Sequence, residues 1–142
     1  MSQSEEVRRR VAERVARLEE EGFHRTLGFR LLEWGDGRAR VELEVTPKVE
    51  NPNAMLHGGA IATLIDHAGT VAIFSSDRQG RPGVTTDLTV TYLAPAPHGT
   101  TVVADALVLK NGKTLAFVTV DVRRKGDGVL VAQGRMTKYQ DA

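Results

Sequence analysis

Residues 60–74 form the longest apolar stretch of the chain, and one carboxylate, Asp66, interrupts it. Ile61, Leu64, Ile65, Ala68, Val71 and Ala72 recur at helical spacing, which predicts a buried helix. Other patterns surround it. In residues 2–21, Val7, Val11, Val15 and Leu18 make a narrow stripe in a charged segment, predicting an amphipathic helix. Ser2 and Glu5 have capping-box spacing, Gly22 is placed to end this helix, and Glu6–Arg10 and Glu13–Arg17 are favourable i,i+4 pairs. Residues 29–34 and 39–45 flank Gly35-Asp36-Gly37 and read as a hairpin. Ala39, Val41, Leu43 and Val45 alternate with Arg40, Glu42 and Glu44, giving one wet face. Residues 84–93, 101–109, 114–123 and 129–138 read as strands, the middle pair joined at Asn111-Gly112, a hairpin turn signal. In residues 84–93 the apolar parity is Val84, Leu88, Val90 and Tyr92, with Thr85 on the other side. The order is helix, two strands, long helix, four strands. It predicts one α+β domain, 1–142, in which a largely antiparallel sheet wraps the helix. Residues 1–22 carry the N-terminal helix and 23–142 the core.

Composition narrows the function. The 142 residues suffice for one domain with a core, and 41% hydrophobic with 26% charged residues is ordinary for a soluble protein. A net charge of +1 gives no pull toward nucleic acid. Without cysteine there are no disulfides, thiol nucleophiles or thiolate metal sites. No apolar run has membrane-span length and the N-terminus lacks an apolar signal core, so a cytoplasmic protein is expected, with no membrane partner. His24 and His98 have no partner at metal-ligand spacing, so no metal is expected. No P-loop or Rossmann glycine pattern is present.

The chemistry concentrates in residues 51–69. Asn51-Pro52-Asn53 is a polar loop, and His57-Gly58-Gly59 precedes the apolar helix. Buried aspartate is costly unless it has partners or a function. The free N–H groups of a helix start favour negative charge, and a glycine there leaves room for an oxyanion. If the helix begins near His57, Asp66 follows after about 900° of rotation and about 13 Å of rise. The two residues then face opposite ways, and a site using both needs two chains. Gly59, Ala62, Asp66, Gly69 and Ile73 line one face, small enough for a backbone or ligand to approach. His67 points away from the Asp66 face and reads as surface or interface packing.

Asn51, His57-Gly58-Gly59 six residues later and Asp66 nine residues after the histidine resemble the motif of hotdog-fold acyl-CoA thioesterases of the phenylacetate-degradation (PaaI) type. Thr85-Thr86-Asp87, Tyr92 and Pro95, then residues 112–116 and 132–135, extend the resemblance over nearly everything after the first helix. Ala54 stands where many relatives have Gly, and Thr85 where they often have Ser. The resemblance implies a hotdog fold and a homodimer, often paired into a homotetramer, with Asp66 of one chain facing Asn51, His57 and Gly58 of the other. It implies thioester hydrolysis. Asp66 would be general base or nucleophile, the Gly58 N–H an oxyanion donor, and Asn51 would orient water or carbonyl. Thr85 would hold the water, and His57 would shape the loop or bond near the carbonyl. Gly59 would line the substrate site. Lys113, Arg135 and Lys138, on a rim with Lys110, Arg123 and Arg124, are placed to meet coenzyme A phosphates. Coenzyme A is part of the substrate, and no cofactor is expected. A non-catalytic acyl-CoA binder and a hotdog dehydratase or hydratase are the competing readings. The sequence does not name the acyl group.

Overall fold

The computed structural model describes residues 3–140. Six antiparallel strands form one sheet in the order β1-β2-β4-β5-β6-β3: β1 Arg30–Gly35, β2 Arg38–Glu44, β3 Val84–Tyr92, β4 Thr101–Asn111, β5 Leu115–Arg124 and β6 Leu130–Tyr139. The helix α3, Gly58–Ser76, packs across all six strands. All six residues of the helical pattern are buried, with Leu64, Ile65, Ala68, Val71 and Ala72 at 0% exposure. Each fully buried Leu or Ile contributes about 1.5–3 kcal/mol by leaving water. Facing them are the inward residues of the strands, including Val41, Leu43, Ala104, Val118, Val120 and Met136.

The small residues of the helix are used within the chain. A Cβ at Gly69 would strike Met136 and Val118, and one at Gly134 would lie 2.6 Å from Ile65. Ile73 is fully buried. The Gly69–Ile73 end of the face is therefore filled by side chains of the chain's own sheet.

The first helix, α1 Glu5–Glu20, is capped by Ser4, whose hydroxyl accepts from the Val7 N–H at 3.2 Å. The Ser2 cap lies outside the described residues. Val11 and Val15 bury against α3, and Gln3 donates to the carbonyls of Phe74 (2.5 Å) and Asp77 (2.7 Å), satisfying the α3 C-terminus. The surface ion pairs on α1 are Arg9–Glu13 and Arg17–Glu21, in place of the two expected. Gly22 does not simply end this helix: with φ of 61° it turns the chain into a second, α2 Gly22–Leu27. On β2 the wet face is interrupted at Glu42, which is 7% exposed beneath Arg30 and Lys125. No helix among the described residues is long and apolar enough to cross a membrane.

Candidate active site

Two clusters of the expected residues form in one chain, at different points along α3. The first is at its start. Asn51 Oδ1 accepts from the N–H groups of Asn53 (2.9 Å) and Met55 (3.2 Å), which closes the loop as an Asx turn. Ala54 sits inside that turn at φ 58°, a left-handed conformation that explains why glycine suits this position. The loop is tied down by Leu56 N–H to the Ala96 carbonyl and His57 N–H to the Val49 carbonyl. His57 is the N-cap: its Nδ1 accepts from Gly59 N–H at 2.8 Å. A neutral ring in that role carries its proton on Nε2, on the side away from the helix. The His57 carbonyl takes the N–H groups of Ala60 and Ile61. Among the described residues, the Gly58 N–H has no acceptor. Tyr92 donates to the Gly58 carbonyl at 2.7 Å, joining the helix start to the end of β3.

The second cluster surrounds Asp66, which is half-buried. Thr85 donates its hydroxyl to Asp66 Oδ1 at 2.8 Å. Alternation along β3 had put Thr85 on the face away from the apolar residues. A bulge between Thr85 and Asp87 reverses the parity, so Thr85 (opposite Lys138) and Leu88 (opposite Met136) share the inner face while Val84 is exposed.

Lys138 is a correction. Expected on an exposed basic rim, it is 5% exposed, and its ammonium donates to the Pro82 carbonyl at 2.9 Å. Burial pushes its pKa down, and the negative charge of Asp66 opposes that shift. Lys113 lies exposed in the β4–β5 turn, and Arg135 lines a hollow of about 640 Å³ on the outer face with Lys110 and Asp87. The three basic residues therefore form no single patch. Gly59 is exposed on the first turn, its N–H occupied by His57.

Two histidines take places that the pattern did not foresee. His67 is 2% exposed, stacked on Phe29 at 5.3 Å and beside His24 at 4.5 Å, so it is core and not surface. Neither ring nitrogen has a hydrogen-bond partner among the described residues. Burial, with a smaller effect from His24, lowers its pKa to about 3. His24, in α2, has its pKa lowered by burial and raised by the charge of Asp66. A six-residue helix offers too little periodicity to have announced it. Among the described residues no cluster suited to a metal ion is found.

The sequence profile of the thioesterase superfamily matches residues 53–131. The chain belongs to this family. It is 44% identical over 118 residues to human acyl-coenzyme A thioesterase 13, covering 82% of this chain and 84% of that one. Its fold superposes on zebrafish thioesterase superfamily member 2 with a TM-score of 0.85 and 40% identity, over 92% and 96% of the two chains. With the PaaI protein of the E. coli phenylacetic acid degradation operon the TM-score is 0.83 and the identity 26%, over 94% and 95%.

Proposed function

We propose that this protein hydrolyses acyl-CoA thioesters at sites shared between two chains, with Asp66 activating water and the Gly58 N–H receiving the oxyanion. The observation that carries the shared site is the pair of contacts made by β3. Thr85, near one end, bonds Asp66; Tyr92, at the other end, bonds Gly58. β3 is an edge strand with Val84 66% and Tyr92 53% exposed, and an uncovered edge invites a strand partner. Two copies pairing β3 antiparallel about a twofold axis set the Thr85 end of one beside the Tyr92 end of the other. Asp66 of one chain then approaches Gly58, His57 and Asn51 of its partner. A homodimer is the unit this requires, and two such dimers would make a homotetramer. A cytoplasmic location fits the absence of cysteine.

In the reaction, Asp66 accepts a proton from water as the water oxygen bonds to the thioester carbonyl carbon. Thr85, donating to Oδ1, leaves Oδ2 for the water. The carbonyl oxygen becomes an oxyanion at the free Gly58 N–H. Collapse breaks the C–S bond, giving the acid and the coenzyme A thiolate, which takes a proton. The Asn51 amide, whose oxygen is committed to the loop, presents its N–H groups to carbonyl or water. The thioester class is tested by thiol release from aryl, short-chain and long-chain acyl-CoA. We expect release from at least one class, and a loss of about 10²- to 10⁴-fold in kcat for a folded Asp66→Asn variant. Near-normal turnover by Asp66→Asn would remove Asp66 from the mechanism.

A further inference from the structure

We propose that Tyr92 is a positioning residue for the hydrolysis: its hydroxyl and the His57 ring grip the Gly58–Gly59 peptide at its two ends and so aim the Gly58 N–H at the oxyanion. The inference rests on the reading of that N–H as the oxyanion donor.

A glycine pair is the freest backbone a chain can offer, and a donor stabilises a developing charge best when it is aimed beforehand. The peptide planes on both sides of the Gly58 Cα therefore have to be held. The plane before it carries the Gly58 N–H, and its carbonyl, that of His57, accepts from Ala60 (2.9 Å) and Ile61 (3.1 Å). The plane after it carries the Gly58 carbonyl and the Gly59 N–H. Tyr92 donates its hydroxyl to that carbonyl at 2.7 Å, and the N–H donates to His57 Nδ1 at 2.8 Å. With both planes held, the two soft dihedrals of Gly58 are fixed, and with them the direction of its unused N–H.

The Tyr92 bond is not needed to satisfy the carbonyl or to dock the helix. Gly58 is the first residue of α3, and helical pairing already gives its carbonyl the N–H of Ala62. The entry loop is tied down without Tyr92, by Leu56 N–H to the Ala96 carbonyl and His57 N–H to the Val49 carbonyl, each at 2.8 Å. Tyr92 is itself anchored. It ends β3 opposite Ala132, and the next residue, Leu93, donates its N–H to the Val131 carbonyl at 2.8 Å. Its ring lies along the Gly58 backbone: a Cβ at Gly58 would be 3.4 Å from the ring and from the hydroxyl oxygen. Tyr92 is also exposed, so removing its hydroxyl opens no cavity in the core. What the hydroxyl adds is aim at the one peptide beside the free donor.

The test is Tyr92→Phe, which keeps the ring and removes the donor, with circular dichroism and size-exclusion chromatography as checks of fold and assembly. Benzoyl-, acetyl- and palmitoyl-CoA stand for the three acyl classes, and the one hydrolysed fastest is used. Losing one hydrogen bond that aims the donor should lower kcat about 3- to 10-fold, with KM within about twofold. The decisive reading is the infrared stretch of the reacting carbonyl. Its probe is the ketone isostere of that substrate, with methylene in place of the sulfur and an isotopic label at the carbonyl carbon, saturation being checked by calorimetry. This ketone has no C–S bond to break at its carbonyl. In wild type the stretch should fall in frequency on binding, as the N–H polarises the carbonyl, and in Tyr92→Phe part of that fall should be lost. An unchanged kcat, or a fall in frequency of wild-type size, overturns the inference. So does a Tyr92→Phe chain that does not fold or does not assemble like wild type, since the hydroxyl is then structural. If wild type itself shows no fall, the reading of Gly58 as oxyanion donor fails; if none of the three substrates releases thiol, the thioesterase reading fails.

Discussion

Asp66 and His67 are neighbours on α3, yet opposite physical arguments govern them. Asp66 is half-buried, and its carboxylate accepts from the Thr85 hydroxyl. His67 is sealed between aromatic rings with neither nitrogen bonded, so its charge is excluded. That exclusion has a measurable sign. The pKa of His67 is about 3 in the fold against an ordinary 6.5, so below pH 6.5 the unfolded chain binds a proton that the folded chain refuses. Stability contributed by the neutral ring is present above pH 6.5 and is lost progressively as pH falls toward 3, by about 1.4 kcal/mol per pH unit. His67→Phe keeps a ring against Phe29 but does not titrate. Between pH 6 and pH 4 its unfolding free energy, from urea titrations, should gain about 2–3 kcal/mol relative to wild type. A constant difference over that range would show that His67 does not titrate this way. How much of the site could be read from the chain follows the same physics. The positions of Asn51 in a loop, Gly58 at a helix start and Asp66 inside that helix were legible from their spacing; the N-cap role of His57 was not. Thr85 was misplaced in parity because a bulge leaves no mark in an alternating pattern. Lys138 was misread because charge was taken to mean solvent, although its parity on β6 matched that of Met136.

The helix–sheet contact is where small residues matter. Gly134 lies under Ile65, a fully buried β-branched side chain with little freedom to move. Gly134→Ala would put a methyl 2.6 Å from Ile65 Cγ2, and such overpacking costs about 1–3 kcal/mol. A lower urea midpoint with an unchanged slope is the expected result. Gly134→Ala of wild-type stability would mean that helix and sheet separate more easily than this packing allows. The elements themselves were mostly legible: α1, α3 and all six strands follow from period and turn chemistry. α2 was not, because six residues carry less than two turns of pattern. Nor was the buried Glu42, whose exposure was inferred from alternation but is removed by Arg30 and Lys125 from neighbouring segments.

At the scale of the whole molecule, the proposed shared site rests on β3. One chain holds Asp66 with Thr85 at one point on α3, and Gly58 with His57 and the Asn51 loop at its start. The helix turns these clusters apart, and β3 carries one at each end. In the proposed dimer, a twofold pairing of that edge would bring the complementary halves together twice, giving two sites. Asn51→Ala and Asp66→Asn should each abolish most activity when alone. Mixed after partial unfolding and reassociation, they form a heterodimer with one intact site and one doubly damaged site. The most direct test is therefore the thiol-release rate of that mixture, with subunit exchange verified by mass spectrometry of the intact dimer. The predicted result is recovery to about one quarter of wild-type activity, from half the dimers carrying one of two sites. Exchange with activity still at the level of the separate variants would contradict the shared site.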